Sequence, residues 1–451
     1  MSPIRVPHLL LALALYSPLT LHAQDTDPEG TEDGGRPSLN SSLLKGLEFR
    51  AIGPALTSGR IGDIAIHPEH PTTWYVGVSS GGVWKTVNAG VTWKPIFDDY
   101  GSYSIGAVTV DPADPLVVWV GTGENNSQRS VGYGDGLYKS VDGGRSFELV
   151  GLEQSEHIAK ILVDPRDSDV VLVAAQGPLW ASGGDRGLYR TADGGETWDA
   201  VLEVDEDTGV TDLLMDPRNP DVLYAASYQR RRHVWTLING GPGSGVYKSL
   251  DGGVSWKKAN KGLPGGDKGR IGLAMSPQNP DVLYAIVEAA DGKGGFFRSS
   301  DRGENWSRQS DYVSNSPQYY QELVADPHRF DRLYSLDTRT QVTEDGGKTW
   351  SRLGGEWRHV DDHALWIDPG DEDHLLIGGD GGLYESWDRG ANWDYKANLP
   401  VTQFYKVAVD NAEPFYNVYG GTQDNNTQGG PSRTITRHGI RNSDSVSYTH
   451  L

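Results

Sequence analysis

The sequence predicts an all-β chain: a seven-bladed β-propeller of four-stranded antiparallel blades, followed by the truncated start of a second propeller. Three observations predict it. An alternating apolar segment closed by a Pro turn recurs along the chain. An Asp-Gly turn follows each copy. Gly and aromatic residues are both abundant, with 58 Gly, 14 Trp and 21 Tyr in 451 residues. Many short strands on tight turns need that composition, because Gly supplies the turns and aromatic rings supply buried area.

In chain order, residues 1–23 carry Arg5, then an apolar run from Leu9 to Leu21, then Leu21-His22-Ala23. A basic start, a short apolar stretch and a small residue are the order of a secretory signal peptide, and Pro18 makes the run unsuited to spanning a bilayer. Residues 24–44 mix Asp25, Asp27, Glu29, Glu32 and Asp33 with Gly, Pro and Ser, and are expected to form an acidic flexible linker. The mature chain is therefore expected to be exported, periplasmic or extracellular, with no integral membrane segment.

Residues 45–400 hold the repeats. First come the strand-and-turn segments Ile64-Ala65-Ile66-His67-Pro68, Val108-Thr109-Val110-Asp111-Pro112, Ile161-Leu162-Val163-Asp164-Pro165 and Leu213-Leu214-Met215-Asp216-Pro217. They continue at Ser276-Pro277, Asp326-Pro327 and Asp368-Pro369. A second strand follows each, as in Val222-Leu223-Tyr224-Ala225, and a third, such as Gly245-Val246-Tyr247-Lys248, enters the Asp-Gly turn. The turn is clearest at Ser140-Val141-Asp142-Gly143-Gly144-Arg145-Ser146-Phe147, and recurs with Asp193, Asp251, Asp301, Asp345 and Asp388, and with Asn88 as a variant. Gly tolerates the positive φ of a tight turn, and the acid can accept from turn N–H groups, so these seven residues are expected to be structural. Each aromatic five residues on is expected to pack between neighbouring blades. Residues 401–451 start another unit at Gln403 without an Asp box, and the tail Ser445 to Leu451 fits no repeat.

The turn motifs resemble the Asp-box, or BNR, repeats of sialidases, sortilin-type (VPS10) receptors and family 74 xyloglucanases. With Ser79-Ser80-Gly81-Gly82-Val83-Trp84-Lys85 and Gly420-Gly421-Thr422-Gln423-Asp424-Asn425, the chain is most similar to large exported bacterial sortilin-N-terminal-like proteins, which carry a glycosyl hydrolase label. The resemblance implies a second propeller in the full-length chain. In xyloglucanases it further implies one catalytic Asp from each propeller. The first of these lies in a run that matches Gly77 to Val83 here, where Ser79 takes its place.

Charge and composition narrow the chemistry. A net charge of -21 disfavours nucleic acid, and zero Cys excludes disulfides, thiolate metal sites and a cysteine nucleophile. The first and third hairpins of a blade share one end, and the second hairpin and crossover share the other. Spacing between Pro turn and Asp box is short from Asp326 to Asp345 and long from Asp111 to Asp142 and from Asp216 to Asp251. The extra residues therefore decorate the face away from the boxes, where insertions of repeat arrays bind ligands. They supply the candidate ligand-binding residues Asn125, Arg129, Tyr133, Trp180, Tyr228, Arg231, His233 and Trp235, to which His363 in the channel is added: flat rings, amides and a guanidinium fork suited to glycan or peptide. The acids available to a hydrolase are Glu124, Asp361, Asp362 and Asp380. Asp361 and His363 share one strand face but are too few to hold a metal, so neither metal nor cofactor is expected. Ser79 cannot act as a carboxylate, so the main expectation is an exported module binding glycan or peptide. The alternative is a glycoside hydrolase of xyloglucanase type.

Overall fold

The computed structural model describes residues 59–435 and 440–448. The expected signal peptide and the acidic linker lie outside the described residues. The described chain is all-β, with eight four-stranded antiparallel sheets each built from consecutive strands. They span residues 61–95, 105–151, 158–202, 208–258, 268–310, 323–352, 362–395 and 404–448, numbered here as sheets 1 to 8. Sheet 4 carries one strand more, Thr236–Asn239, paired to the far end of the long strand Asn219–His233. Among the described residues no helix is long and apolar enough to cross a membrane.

First strands touch first strands in chain order from sheet 1 to sheet 6, and Asp362–Ile367 of sheet 7 lies against Ile61–Ile66 of sheet 1. One packing rule makes these joints. A Cβ on Gly77 would sit 2.9 Å from Ile105, one on Gly121 2.4 Å from Ile158, and one on Gly378 2.6 Å from Ile61. A second-strand Gly thus makes room for an Ile from the next sheet, and the sheet 7–sheet 1 joint obeys the same rule as the internal ones. That joint buries Ile61, Trp74, Val76 and Val78 with Leu376, Leu383, Leu399 and Val401. Sheet 7 is completed by its own fourth strand, Asp394–Tyr395. The tail also differs from expectation: Val446–Tyr448 pairs with Thr427–Pro431 as the fourth strand of sheet 8.

The Asp boxes repeat one hydrogen-bond set. Asp345 Oδ1 accepts from the N–H groups of Lys348 and Thr349, both at 3.0 Å, and from Thr343 Oγ1 at 2.8 Å, while Oδ2 accepts from Thr349 Oγ1 at 2.7 Å. Asp142, Asp193, Asp251, Asp301 and Asp388 accept from the residues two before and four after them, and Asn88 makes the amide version. Each box also docks by a main-chain bond onto its sheet's first hairpin, as Gly143 N to Leu116 O and Gly346 N to Asp331 O do, which puts both on one face. Burial opposes ionisation of Asp345, but these donors outweigh it and hold its carboxyl down at about 2. A depressed native pKa contributes stability that is present above the unfolded value and lost as pH falls towards about 2. Asp345→Ala is therefore expected to cost about 1–2 kcal/mol near neutrality and to melt like the parent in strong acid, as thermal melts across the acidic range would report.

Box aromatics pack between sheets to different depths. Trp306 is buried and donates Nε1 to Ala259 O of the preceding sheet, at 2.8 Å. Trp256 is only half-buried and donates to Gly253 O of its own turn, so it contributes less.

Candidate functional site

Opposite the boxes, at the ends of the second strands, buried charge converges. Asp380 follows the second strand of sheet 7, Leu375–Gly379. Its N–H donates to Asp361 O at 3.0 Å, just as Ser79 N–H of sheet 1 donates to Arg60 O at 2.9 Å. Asp380 therefore stands in sheet 7 where Ser79 stands in sheet 1. Arg60 crosses the joint between those sheets. Its Nε donates to Asp380 Oδ1 at 2.6 Å, NH2 to Oδ2 at 3.1 Å, and NH1 to Glu124 Oε2 of sheet 2 at 2.6 Å. Tyr319 OH donates to Asp380 Oδ2 at 2.9 Å, and His363 Nε2 lies 3.2 Å from Oδ1. Burial works against ionisation of Asp380, yet Arg60 and His363 outweigh it and hold the carboxyl well below the usual range. In the same way Glu124 and Asp380 hold the buried Arg60 guanidinium well above its ordinary value.

Two further carboxyls border this anchor. Asp361 is half-buried, at φ 70°, and accepts from Tyr320 OH; Asp424 is exposed, at φ 47°. Oxygens of Asp361, Asp380 and Asp424 lie within 4.8 Å of one another. Both border acids are pushed up: burial acts first on each, and the charge of Asp380 adds to it, with a hydrogen bond to Asp380 in the case of Asp424. Three close carboxyls thus split into one fixed anion and two groups that keep protons to higher pH. The left-handed backbone at both Asp361 and Asp424 is the kind of strain that collects at functional sites. Among the described residues this is the one group of acids close enough to share a cation, though Arg60 and Tyr319 already engage both oxygens of Asp380.

Sequence reasoning picked Asp361, Asp380 and His363, which the fold brings together. Two picked acids are corrected. Glu124 is fully buried, its oxygens taken by Arg60, Asn126 and Gly132 N–H. Asp362 is buried and clamped by both arms of Arg358, with Thr340 Oγ1 at 2.7 Å. Both carboxyls are engaged by neighbouring donors. Arg60, Tyr319, Tyr320 and Asp424 were missed. A usable signal existed for the last: Asp424 follows the second strand of sheet 8, Asn417–Thr422, nearly in register with Asp380 in sheet 7.

The insertion residues scatter. Tyr228 is also corrected: it is 1% exposed, with its hydroxyl on Asn239, because the stretch taken as a loop continues the strand Asn219–His233 and turns that ring inward. Asn125 lies towards the channel, held by Glu322, Gln176 and Arg270. There Lys160 keeps its proton above its ordinary range; burial opposes this, and Asp212, Glu322 and Asp63 overcome it. Trp180 is half-buried, and Arg129, Tyr133 and Trp235 are exposed. Arg231 donates to Ser182 Oγ at 2.6 Å, and His233 stacks on Trp235 with ring centres 5.2 Å apart.

No family model matches the chain. It is 26% identical over 302 residues to a xyloglucanase of a Paenibacillus species, covering 66% of this chain and 25% of that protein. It is 22% identical over 367 residues to a xyloglucanase of Acetivibrio thermocellus, covering 67% and 40%. A GH74 xyloglucanase structure from Xanthomonas campestris superposes with a TM-score of 0.60 at 19% identity, covering 82% of this chain and 59% of that one. By its sequence and structural neighbours the chain is xyloglucanase-like, with a propeller-type fold. It spans 25% and 40% of the two curated relatives' lengths.

Proposed function

We infer that this chain is part of an exported glycoside hydrolase acting on a β-glucan of the xyloglucan type. Sheets 1 to 7 are read as a closed seven-bladed Asp-box propeller, and sheet 8 as the start of a second one. The observation that carries this reading is the acid centre at Asp361, Asp380 and Asp424, in a chain whose curated relatives are named xyloglucanases. Ser79 leaves sheet 1 without an acid, and Asp380 puts one at the same register in the adjoining sheet. Asp380, ionised and sealed by Arg60, acts as the fixed charge. Asp361 and Asp424, with raised pKa values, hold the proton that a leaving sugar oxygen needs. Carboxyls this close cannot flank a sugar with a water between them, which takes about 6.5–9.5 Å. The opposing carboxylate is assigned to the second propeller of the full-length protein, across a cleft.

A proton donor fails as pH rises through its raised pKa, so hydrolysis is expected to fall on the alkaline side. Reducing-end release from xyloglucan, mixed-linkage β-glucan and cellulose by the full-length protein tests this. Release from xyloglucan with that alkaline fall supports the reading. Retention on xyloglucan without release at any pH would restore the reading as a binding module, which Ser79 favours.

A further inference from the structure

At its Asp-box end, away from the acid centre, the sheet 7–sheet 1 joint is built differently from the first three joints. In sheets 1, 2 and 3 a third-strand cation crosses to the Asp box of the next sheet. Lys85 Nζ donates to Gly143 O and Lys139 Nζ to Gly194 O, both at 2.7 Å, and Arg190 Nε donates to Gly252 O at 3.0 Å. Each cation stands just before the Ser or Thr that opens its own box turn, and in sheet 7 that place holds Glu385. The cation comes instead from the residue after the fourth strand. Lys396 donates to Glu385 Oε2, and its ammonium sits 5.6 Å from the centre of the Trp74 ring of sheet 1.

Behind Glu385 lies His374, which is 5% exposed. Its Nδ1 is 3.0 Å from Asp368 Oδ2, and its Nε2 is 2.9 Å from Glu385 Oε1. An ionised carboxylate only accepts, and a neutral imidazole has a single N–H, so filling both contacts takes the doubly protonated ring. That ring lies flat on Trp387, with centres 3.8 Å apart and planes 3° apart, a contact that favours a cation. The other cations around it are engaged: Arg329 with Glu372 and Arg389 with Asp373, both at 3.0 Å, and Lys396 with Glu385. Asp394, opposite Glu385 on the fourth strand, is exposed. His328 of sheet 6 reaches only the main-chain O of Asp368, 2.7 Å from Nε2, a bond that a neutral imidazole makes. Burial opposes the charge on His374, and the hydrogen bonds and charges of Glu385 and Asp368 overcome it, so its pKa stands above the ordinary value. Burial likewise opposes ionisation of Glu385, and His374 and Lys396 hold it below the ordinary value.

We propose that His374 is a proton-operated latch on the joint between sheets 7 and 1. Protonated, the ring fixes Glu385, and Glu385 fixes Lys396 over Trp74. Once the proton leaves, a ring lone pair faces one of the two carboxylates, and the arm that reaches sheet 1 loses its support. A raised native pKa gives stability that is fully present below the unfolded value and lost as pH rises through the native one. The sign is opposite to that of Asp380 at the other end of the joint, whose contribution fades in acid. The latch does not depend on the chain being a hydrolase, and its test reads no activity.

The test follows the imidazole itself, in the whole protein labelled at histidine for magnetic resonance. The His374 signal is identified by its through-space contact with the Trp387 indole and by its absence from His374→Gln. It is expected to show both ring nitrogens protonated near neutrality and to titrate above the ordinary histidine range. Glu385→Gln, which keeps the ring, should move that titration down by about one pH unit or more. Hydrogen exchange, corrected for the intrinsic effect of pH, should rise in residues 61–95 and 362–395 as the ring titrates, ahead of sheets 3 to 5. In His374→Gln the same residues should exchange fast at every pH. A singly protonated ring near neutrality, a titration unmoved by Glu385→Gln, or exchange that rises equally in all sheets would overturn the proposal.

Discussion

Arg60→Met should be among the most damaging single changes in this chain, costing roughly 3–5 kcal/mol of stability. Arg60 is 5% exposed, and its guanidinium is the shared partner of Glu124 from sheet 2 and Asp380 from sheet 7, both fully buried. Methionine fills much of the volume and removes the charge, so two acids lose their main cation. His363 and Tyr319 remain beside Asp380, but neither replaces a guanidinium bound through two nitrogens. The pH dependence follows from the sign of the Asp380 shift. Its native pKa is depressed, so its contribution exists above the unfolded carboxylate value and fades as pH falls. Without Arg60 that contribution is lost, and the deficit should be largest near neutrality and shrink in acid. Denaturant melts at two pH values measure this. An equal deficit at both would mean that the loss is one of packing, not of charge.

Trp74→Ala is expected to cost roughly 3–5 kcal/mol, the usual range for emptying a buried indole site. Trp74 is fully buried with Ile61, Leu376, Leu383 and Val401 where sheets 7 and 1 meet. Its Nε1 donates to Pro71 O at 2.7 Å, and Lys396 of sheet 7 sits over its ring. If the joint closes the ring, the void should open it there first, with hydrogen exchange rising in residues 61–95 and 362–395 before sheets 3 to 5. Uniform loosening of all sheets would show that the joint has no special place.

The run of four-stranded antiparallel sheets was legible because its signals are local. An Asp box is complete within seven residues, and its acid finds donors two before and four after it, so no tertiary knowledge is needed. The acid centre was only partly legible, because its members come together from distant segments. Asp361 and Asp380 were singled out as acids. Asp380 shares Arg60 with Glu124, and that arginine reaches Asp380 across the sheet 7–sheet 1 joint, which no local pattern shows. Tyr228 was misjudged for a different reason. Tyr228 is still paired within its sheet, opposite Gly209, so the alternation of Asn219–His233 turns its ring into the core. The partners of Arg230 and Arg232 could not be read, since a run of arginines in an acidic chain suggests ion pairs, and only the fold shows carbonyls in their place.

The proposed hydrolysis has a protonated carboxyl beside the Arg60–Asp380 anchor take part in cutting a β-glucan. The most direct measurement is reducing-end release from xyloglucan by the full-length protein and its Asp361→Asn and Asp424→Asn variants, each confirmed as folded by melting. Removing an acid catalyst costs on the order of 10²–10⁴ in rate. The account predicts a loss of that size in at least one variant, with substrate retention kept in both. Parental rates in both variants would contradict it.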